Sequence, residues 1–282
     1  LHVWLSIDSL NIIISAFVHY QVNSCNFRKN PMLTSQRKQL ILEKLNAEGQ
    51  VLSKALSLEF EVSEDTIRRD LRELAAEGRL QRVHGGALPA SSAVATFAER
   101  KGLRTDAKQR VARQGLSLIS AGQVVIIDGG TTTGELVRCL PDDLAITVVT
   151  HSPGIALVLV DHPLIEVILI GGRLFKHSIV TVGAAAIEGI DRIQADLFFM
   201  GVTGIHPDAG LTTGDYEEAC IKRAFSARAA ETVVLASPEK INSASPFQIG
   251  SLGLINTVVV EADTDPAWVQ AVSAKGITVV SA

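Results

Sequence analysis

With 282 residues, 47% of them apolar and 20% charged, the chain can build one large core or two modest ones. That composition excludes a disordered chain, collagen and a coiled coil, and a formal net charge of −4 excludes a uniformly basic coat but not a local basic face. Aromatics are only 5%, so small and β-branched aliphatic residues must form the core, as in folds with buried parallel strands.

Residues 1–20 are apolar but interrupted by Asp8, Asn11 and His19, and the unbroken run 12–18 is too short for ~30 Å of hydrocarbon. A secretory signal would place basic residues before the apolar stretch; here Arg28 and Lys29 follow it. The first methionine is Met32. Residues 1–31 are therefore expected to be translated upstream sequence or a disordered extension, outside the folded protein. Cys25, Cys139 and Cys220 form no CxxC pair, which argues against a disulfide framework or a structural zinc site. The expected compartment is the reducing cytoplasm, with no membrane attachment, metal or cofactor.

From Met32 the pattern changes. Leu40, Ile41, Leu42 and Leu45 predict a helix over residues 36–46, stopped by Gly49. Ser53 is expected to cap a short helix reaching Phe60. Ser63 is expected to cap a third, whose first turn carries Glu64 and Asp65 and whose inner face carries Ile67, Leu71 and Leu74. The segment RLQRVHGGALP reads as a hairpin. Three short helices and a hairpin within residues 32–89 form a winged helix-turn-helix. Such a unit reads DNA by placing the start of its second helix in the major groove. Candidate contacts are the hydroxyls of Ser53, Ser63 and Thr66, the guanidinium groups of Arg68 and Arg69, and Arg82 and His84 on the wing. Residues 32–90 hold nine Lys/Arg and nine Asp/Glu, so charge alone leaves a purely structural helical unit equally open.

The string SEDTIRRDLRELAAEGRLQRVHGGA closely resembles the signature of the DeoR-type family of bacterial transcriptional regulators. That resemblance implies DNA binding, with Ser63, Thr66, Arg68 and Arg69 at recognition-helix positions.

Residues 90–95, small and polar, read as a linker. Over residues 96–282 the runs QVVIID, AITVVT, IEVILIGG, ADLFFMGV, ETVVLAS, NTVVVE and GITVVS alternate with helical stretches. This predicts an α/β domain whose open, mostly parallel sheet is covered by helices on both faces. QVVIID runs into GGTTTGELVRCL, and glycines, threonine hydroxyls and a helix start together suit an anion. Gly129, Gly130, Thr131, Thr132 and Thr133 are thus candidate phosphate contacts, although a plain tight βα turn would read the same way. Other strand ends bring Thr150 and Ser152, Gly171 and Gly172, and Lys240 towards the same edge. Thr150 and Ser152 would equally serve as helix caps, and the glycines as a turn. Glu218 and Lys222 stand at i,i+4, either as a surface ion pair or as ligand contacts.

DGGTTT, VVTHS, ILIGGRL, VGAAAIEGI, ADLFFMGVTGI and the SPEK lysine resemble the DeoR-type sensor domain, a relative of ribose-5-phosphate isomerase and glucosamine-6-phosphate deaminase. The resemblance implies a sugar-phosphate effector with its phosphate on residues 130–133 and Lys240 reaching towards it. His151 stands where Asn is usual, and Ser237-Pro238-Glu239 replaces an Asp-containing turn, so contacts to the sugar differ. The expected protein is a repressor of a carbohydrate-metabolism operon, a homodimer or homotetramer on double-stranded DNA. Its rivals are a regulator with an unphosphorylated effector and a sugar-phosphate isomerase or deaminase with an appended DNA-binding domain.

Overall fold

The computed structural model describes residues 32–282, so the expectation about residues 1–31 lies outside the described residues. The N-terminal unit begins with α1 (Thr34–Glu48), which ends on Gly49 in the left-handed conformation at φ +73°. Then come β1 (Val51–Leu52), α2 (Ser53–Glu59) and α3 (Glu64–Ala76). The wing is β2 (Leu80–Val83) and β3 (Gly86–Pro89), and the three strands pair antiparallel in the order β1-β3-β2. Ile41, Leu45, Leu56, Ile67, Leu71, Leu74 and Leu80 form its core. Ser63 caps α3 as expected, accepting from the Thr66 amide. Ser53 does not cap α2. Leu52 holds the cap position with no side-chain bond, and Ser53 is the first helical residue, its amide donating to Gly85 O at 2.8 Å.

The segment expected as a free linker is packed down. Ala90 bridges Ala244, the Ser91 amide donates to Ala244 O at 3.3 Å, and Ser91 Oγ donates to Thr203 O. A single helical turn, Ser92–Val94, leads to α4 (Phe97–Lys101), which opens with a capping box between Thr96 and Glu99, and then α5 (Thr105–Leu116).

The seven apolar runs all become strands of one sheet: β4 (Val124–Ile127), β5 (Thr147–Thr150), β6 (Glu166–Leu169), β9 (Ala195–Met200), β12 (Ala229–Leu235), β14 (Thr257–Val260) and β15 (Thr278–Ser281). Their order is β15-β14-β12-β9-β4-β5-β6, and every pair is parallel. Period-2 alternation sends neighbours to opposite cores. Val125, Ile127, Leu197 and Phe199 pack with α5, α6 (Thr131–Arg138) and α7 (Pro153–Leu159). Ile126, Phe198 and Met200 pack with α8 (Ala184–Ile190), α9 (Tyr216–Ser226) and α10 (Pro266–Ser273).

Two additions were not legible as strands. A hairpin joins β7 (Arg173–Phe175) to β8 (Val180–Val182). A small antiparallel sheet joins β10 (Gly204–His206), β11 (Gly210–Thr213) and β13 (Phe247–Gly250) in that order. In the large sheet, strand order reverses between adjacent β4 and β9, which opens a crevice at their carboxyl ends.

Candidate functional site

On α3, Ile67, Asp70, Leu71 and Leu74 point inward, while Arg68, Arg69 and Arg72 are exposed. Asp70 is fully buried and receives a forked bond from Arg37 of α1, Nη2 donating at 3.1 Å, which clamps the two helices. Arg68 is tied on its own helix to Glu64 at 2.8 Å and Asp65 at 3.4 Å. Arg69 and Arg72 make no ion pair or hydrogen bond among the described residues, so their guanidinium groups are available to an acceptor. Arg72 was missing from the expected set, although it stands at i+3 from Arg69. Ser63 Oγ lies 2.9 Å from Thr66 Oγ1 at the exposed start of the helix. Arg82 and His84 are exposed on the wing. Ser53 is buried, which sets it apart from these surface groups.

The crevice between β4 and β9 is an open cleft. Residues 129–133, Glu218, Lys222 and Lys240 line it, as do Gly201 and Thr203 after β9. Gly129 is required by packing: a Cβ there would stand 2.2 Å from Val180 Cγ1 and 3.2 Å from Ser152 Cβ. Gly130 precedes α6 with no side-chain cap, so the first amides of the helix are left for a ligand. Thr132 is buried, and its Oγ1 accepts from Lys240 Nζ at 2.9 Å while its own proton remains free to donate.

The sequence missed two cations of the cleft. Arg100 on α4 and Lys108 on α5 both line it, and the Lys108 ammonium donates to Arg100 O at 2.6 Å. Lys108 had a signal: it occupies the stripe that Val111, Ala112 and Gly115 continue at i+3, i+4 and i+7, where a charge is out of place. Arg100 had none. Arg100, Lys108 and Lys240 have no carboxylate within ion-pair distance among the described residues. Burial pushes the pKa of each down, Lys240 to about 8, against the raising influence of Glu239 on both lysines.

Lys222 is placed differently from the others. Of the two readings of the i,i+4 spacing, the surface ion pair with Glu218 does not form; Lys222 Nζ reaches Asp128 Oδ2 at 2.6 Å. His151 Nε2 lies 2.7 Å from Asp128 Oδ1 and its Nδ1 lies 2.7 Å from Thr181 O, so the ring is held between the two. Burial would raise the Asp128 carboxyl, but Lys222 and His151 more than reverse this and hold it well below the carboxylate range. Asp128 is therefore a charge anchor with both oxygens occupied. Glu218 is buried, and among the described residues its carboxylate accepts only from Thr213 Oγ1, at 3.4 Å.

Four candidates fall outside the cleft lining. Thr150 Oγ1 donates to Ile127 O at 2.6 Å and accepts from the Ser152 amide at 3.1 Å, and Ser152 caps α7, so the capping role holds for Ser152 alone. Gly171 and Gly172 are exposed at the end of β6, two strands beyond the β4 wall of the crevice. A Cβ on Gly172 would meet Val182 O at 2.8 Å with φ at +148°, so this glycine serves a close backbone approach.

A family model described as the DeoR C terminal sensor domain matches residues 103–262, and one described as the DeoR-like helix-turn-helix domain matches residues 37–93. The chain is 34% identical over 251 residues to the HTH-type transcriptional regulator GlpR of Haloferax volcanii, covering 88% of this chain and 98% of that protein. It is 32% identical over 232 residues to the glycerol-3-phosphate regulon repressor of Escherichia coli strain K12, covering 82% and 92%. Among solved structures, ribose 5-phosphate isomerase A of Methanocaldococcus jannaschii aligns with 49% of this chain and 54% of its own, at 18% identity and a TM-score of 0.37. Exposed arginines on a capped second helix and a cationic crevice in a parallel sheet thus coincide with both family matches, and the chain belongs to the DeoR family of transcriptional regulators.

Proposed function

We propose that the protein is a DNA-binding repressor of a carbohydrate-metabolism operon, released from its operator by a phosphorylated sugar. The observation that carries the effector half of this reading is the trio Arg100, Lys108 and Lys240, gathered in the cleft with no carboxylate partner. Desolvated cations without a counter-ion are costly, and a bound dianion offsets that cost. The amides opening α6 and the Thr132 hydroxyl supply donors of the right kind beside them.

Release follows if the sugar phosphate binds one arrangement of the molecule better than the arrangement that fits the operator, by no more than that difference in affinity. A homodimer or homotetramer suits this role, because two recognition helices read a two-fold operator. No helix among the described residues is long and apolar enough to cross a membrane. An isomerase would need a carboxylate base with a free oxygen beside the carbonyl; both oxygens of Asp128 are engaged, which leaves Glu218 in the cleft lining as the candidate base of that alternative.

A thermal-shift panel of sugar phosphates and their parent sugars tests the reading. A phosphorylated effector at 100 times its Kd stabilises the protein by about 2.7 kcal/mol. Its dephosphorylated form at the same concentration gives no shift. A shift with the free sugar instead favours an unphosphorylated effector, and conversion of the ligand to a product favours the enzyme.

A further inference from the structure

Two polar atoms of the cleft are shut off from solvent and have no partner among the described residues: Nε of Arg100 and Oε2 of Glu239. Buried polar groups are nearly always paired, and a lone carboxylate oxygen is a costly exception. The orphan donor is accounted for by an anion. The orphan acceptor is not, because a phosphate is repelled by it.

Glu239 sits in the turn Pro238–Lys240 that follows β12. Ser237 Oγ donates to its Oε1 at 2.7 Å, which holds the carboxylate and leaves the second oxygen unmatched. Its field acts on both Lys240 and Lys108, yet it forms an ion pair with neither. The carboxylate is thus a neighbour of the cationic end of the cleft without neutralising it. A ligand that fills this end must bring a hydrogen-bond donor to Glu239 or leave two like charges facing each other.

Given the reading of this cleft as a phosphate site, we propose that Glu239 is a specificity-determining residue. It accepts a hydrogen bond from a hydroxyl that the ligand carries near its phosphate. The effector class is then a phosphomonoester of a polyol or sugar with a free hydroxyl near its phosphate. Alkyl phosphates, and phosphates whose neighbouring hydroxyls are blocked, are rejected. The discrimination comes from the unmet acceptor: a ligand without the hydroxyl leaves it buried and unpaired.

Calorimetric titration of the full chain with inorganic phosphate, propyl phosphate and racemic glycerol 1-phosphate tests this. The last two share a three-carbon chain and differ in hydroxyls. The parent protein is expected to bind glycerol 1-phosphate at least about tenfold more tightly than propyl phosphate, the lower end for a hydrogen bond to a charged group. Glu239→Ala brings that ratio to about one and tightens propyl phosphate binding, because a like charge has left the cleft. Glu239→Gln keeps the volume and a carbonyl acceptor. Should the alanine variant fail to fold, the glutamine variant shows a ratio reduced severalfold and a tighter fit for inorganic phosphate. A parent without preference for the hydroxylated probe, or variants that keep the parent's ratio, overturn the proposal and leave the phosphate reading standing. If none of the three probes binds the parent, both fall.

Discussion

Lys240 holds its ammonium on Thr132 Oγ1 at 2.9 Å and Leu235 O at 3.1 Å, with burial drawing its pKa down to about 8 and Glu239 pulling the other way. The unfolded chain keeps this lysine near 10.5. Between those two values the unfolded state binds more protons, so this residue makes stability rise with pH across that window. Below pH 8 the full cost of the buried charge is present. An anion in the cleft reverses the sense, since it needs the ammonium form, and its affinity falls as pH rises through 8. The shift in melting temperature produced by a phosphate ligand is therefore expected to be larger at pH 7 than at pH 9.5. Lys240→Met removes the Lys240 part of that difference and lowers affinity at pH 7; an unchanged pH profile in this variant would exclude Lys240 as its source. That residues 129–133 line a cleft was legible because glycines and hydroxyl side chains lead from a strand end straight into a helix start. Arg100 was not, because its role arises only when α4 folds back over the sheet.

The two faces of α3 predict opposite phenotypes. Asp70→Ala leaves Arg37 charged, buried and unpaired, a change that costs about 3–5 kcal/mol. It should lower the urea midpoint of the N-terminal unit and abolish operator binding with it. Arg69→Ala removes an exposed, unpaired group, so stability stays within about 0.5 kcal/mol. Its operator affinity falls by about 1–3 kcal/mol where the side chain reads a base. Equal unfolding midpoints for the two variants would contradict this division. At this scale the sequence was informative where pattern is local. Continuous β-branched runs marked all seven strands of the large sheet, and Ser63 marked the start of α3. It failed at Ser53, because the wing supplies Gly85 O to its amide and Leu52, the last residue of β1, holds the cap position instead. It failed again for β7, β8, β10, β11 and β13, which are only three or four residues long; β7 with β8 and β10 with β11 form short local hairpins, and β11 pairs with β13 through residues far apart in the chain such as Leu211 and Gly250.

In the whole molecule, the stretch between wing and sheet belongs to the ligand's surroundings. Ala93, Val94 and Arg100 all line the cleft, and His177 Nε2 donates to Val94 O at 2.9 Å while the Phe97 amide donates to His177 O at 3.1 Å. This bears on how such proteins can be recombined. A hybrid that grafts a foreign DNA reader onto this sensor at residue 89 inherits every wall of the cleft, whereas one joined at residue 102 replaces Ala93, Val94 and Arg100 with another protein's residues. The first hybrid is expected to keep the parent's affinity for its sugar phosphate, and the second to lose at least tenfold, on the order of one charged hydrogen bond. Equal affinities would show that the stretch is mere tether. Retained affinity in the first hybrid alone would put the functional seam of the protein at the wing, ahead of α4.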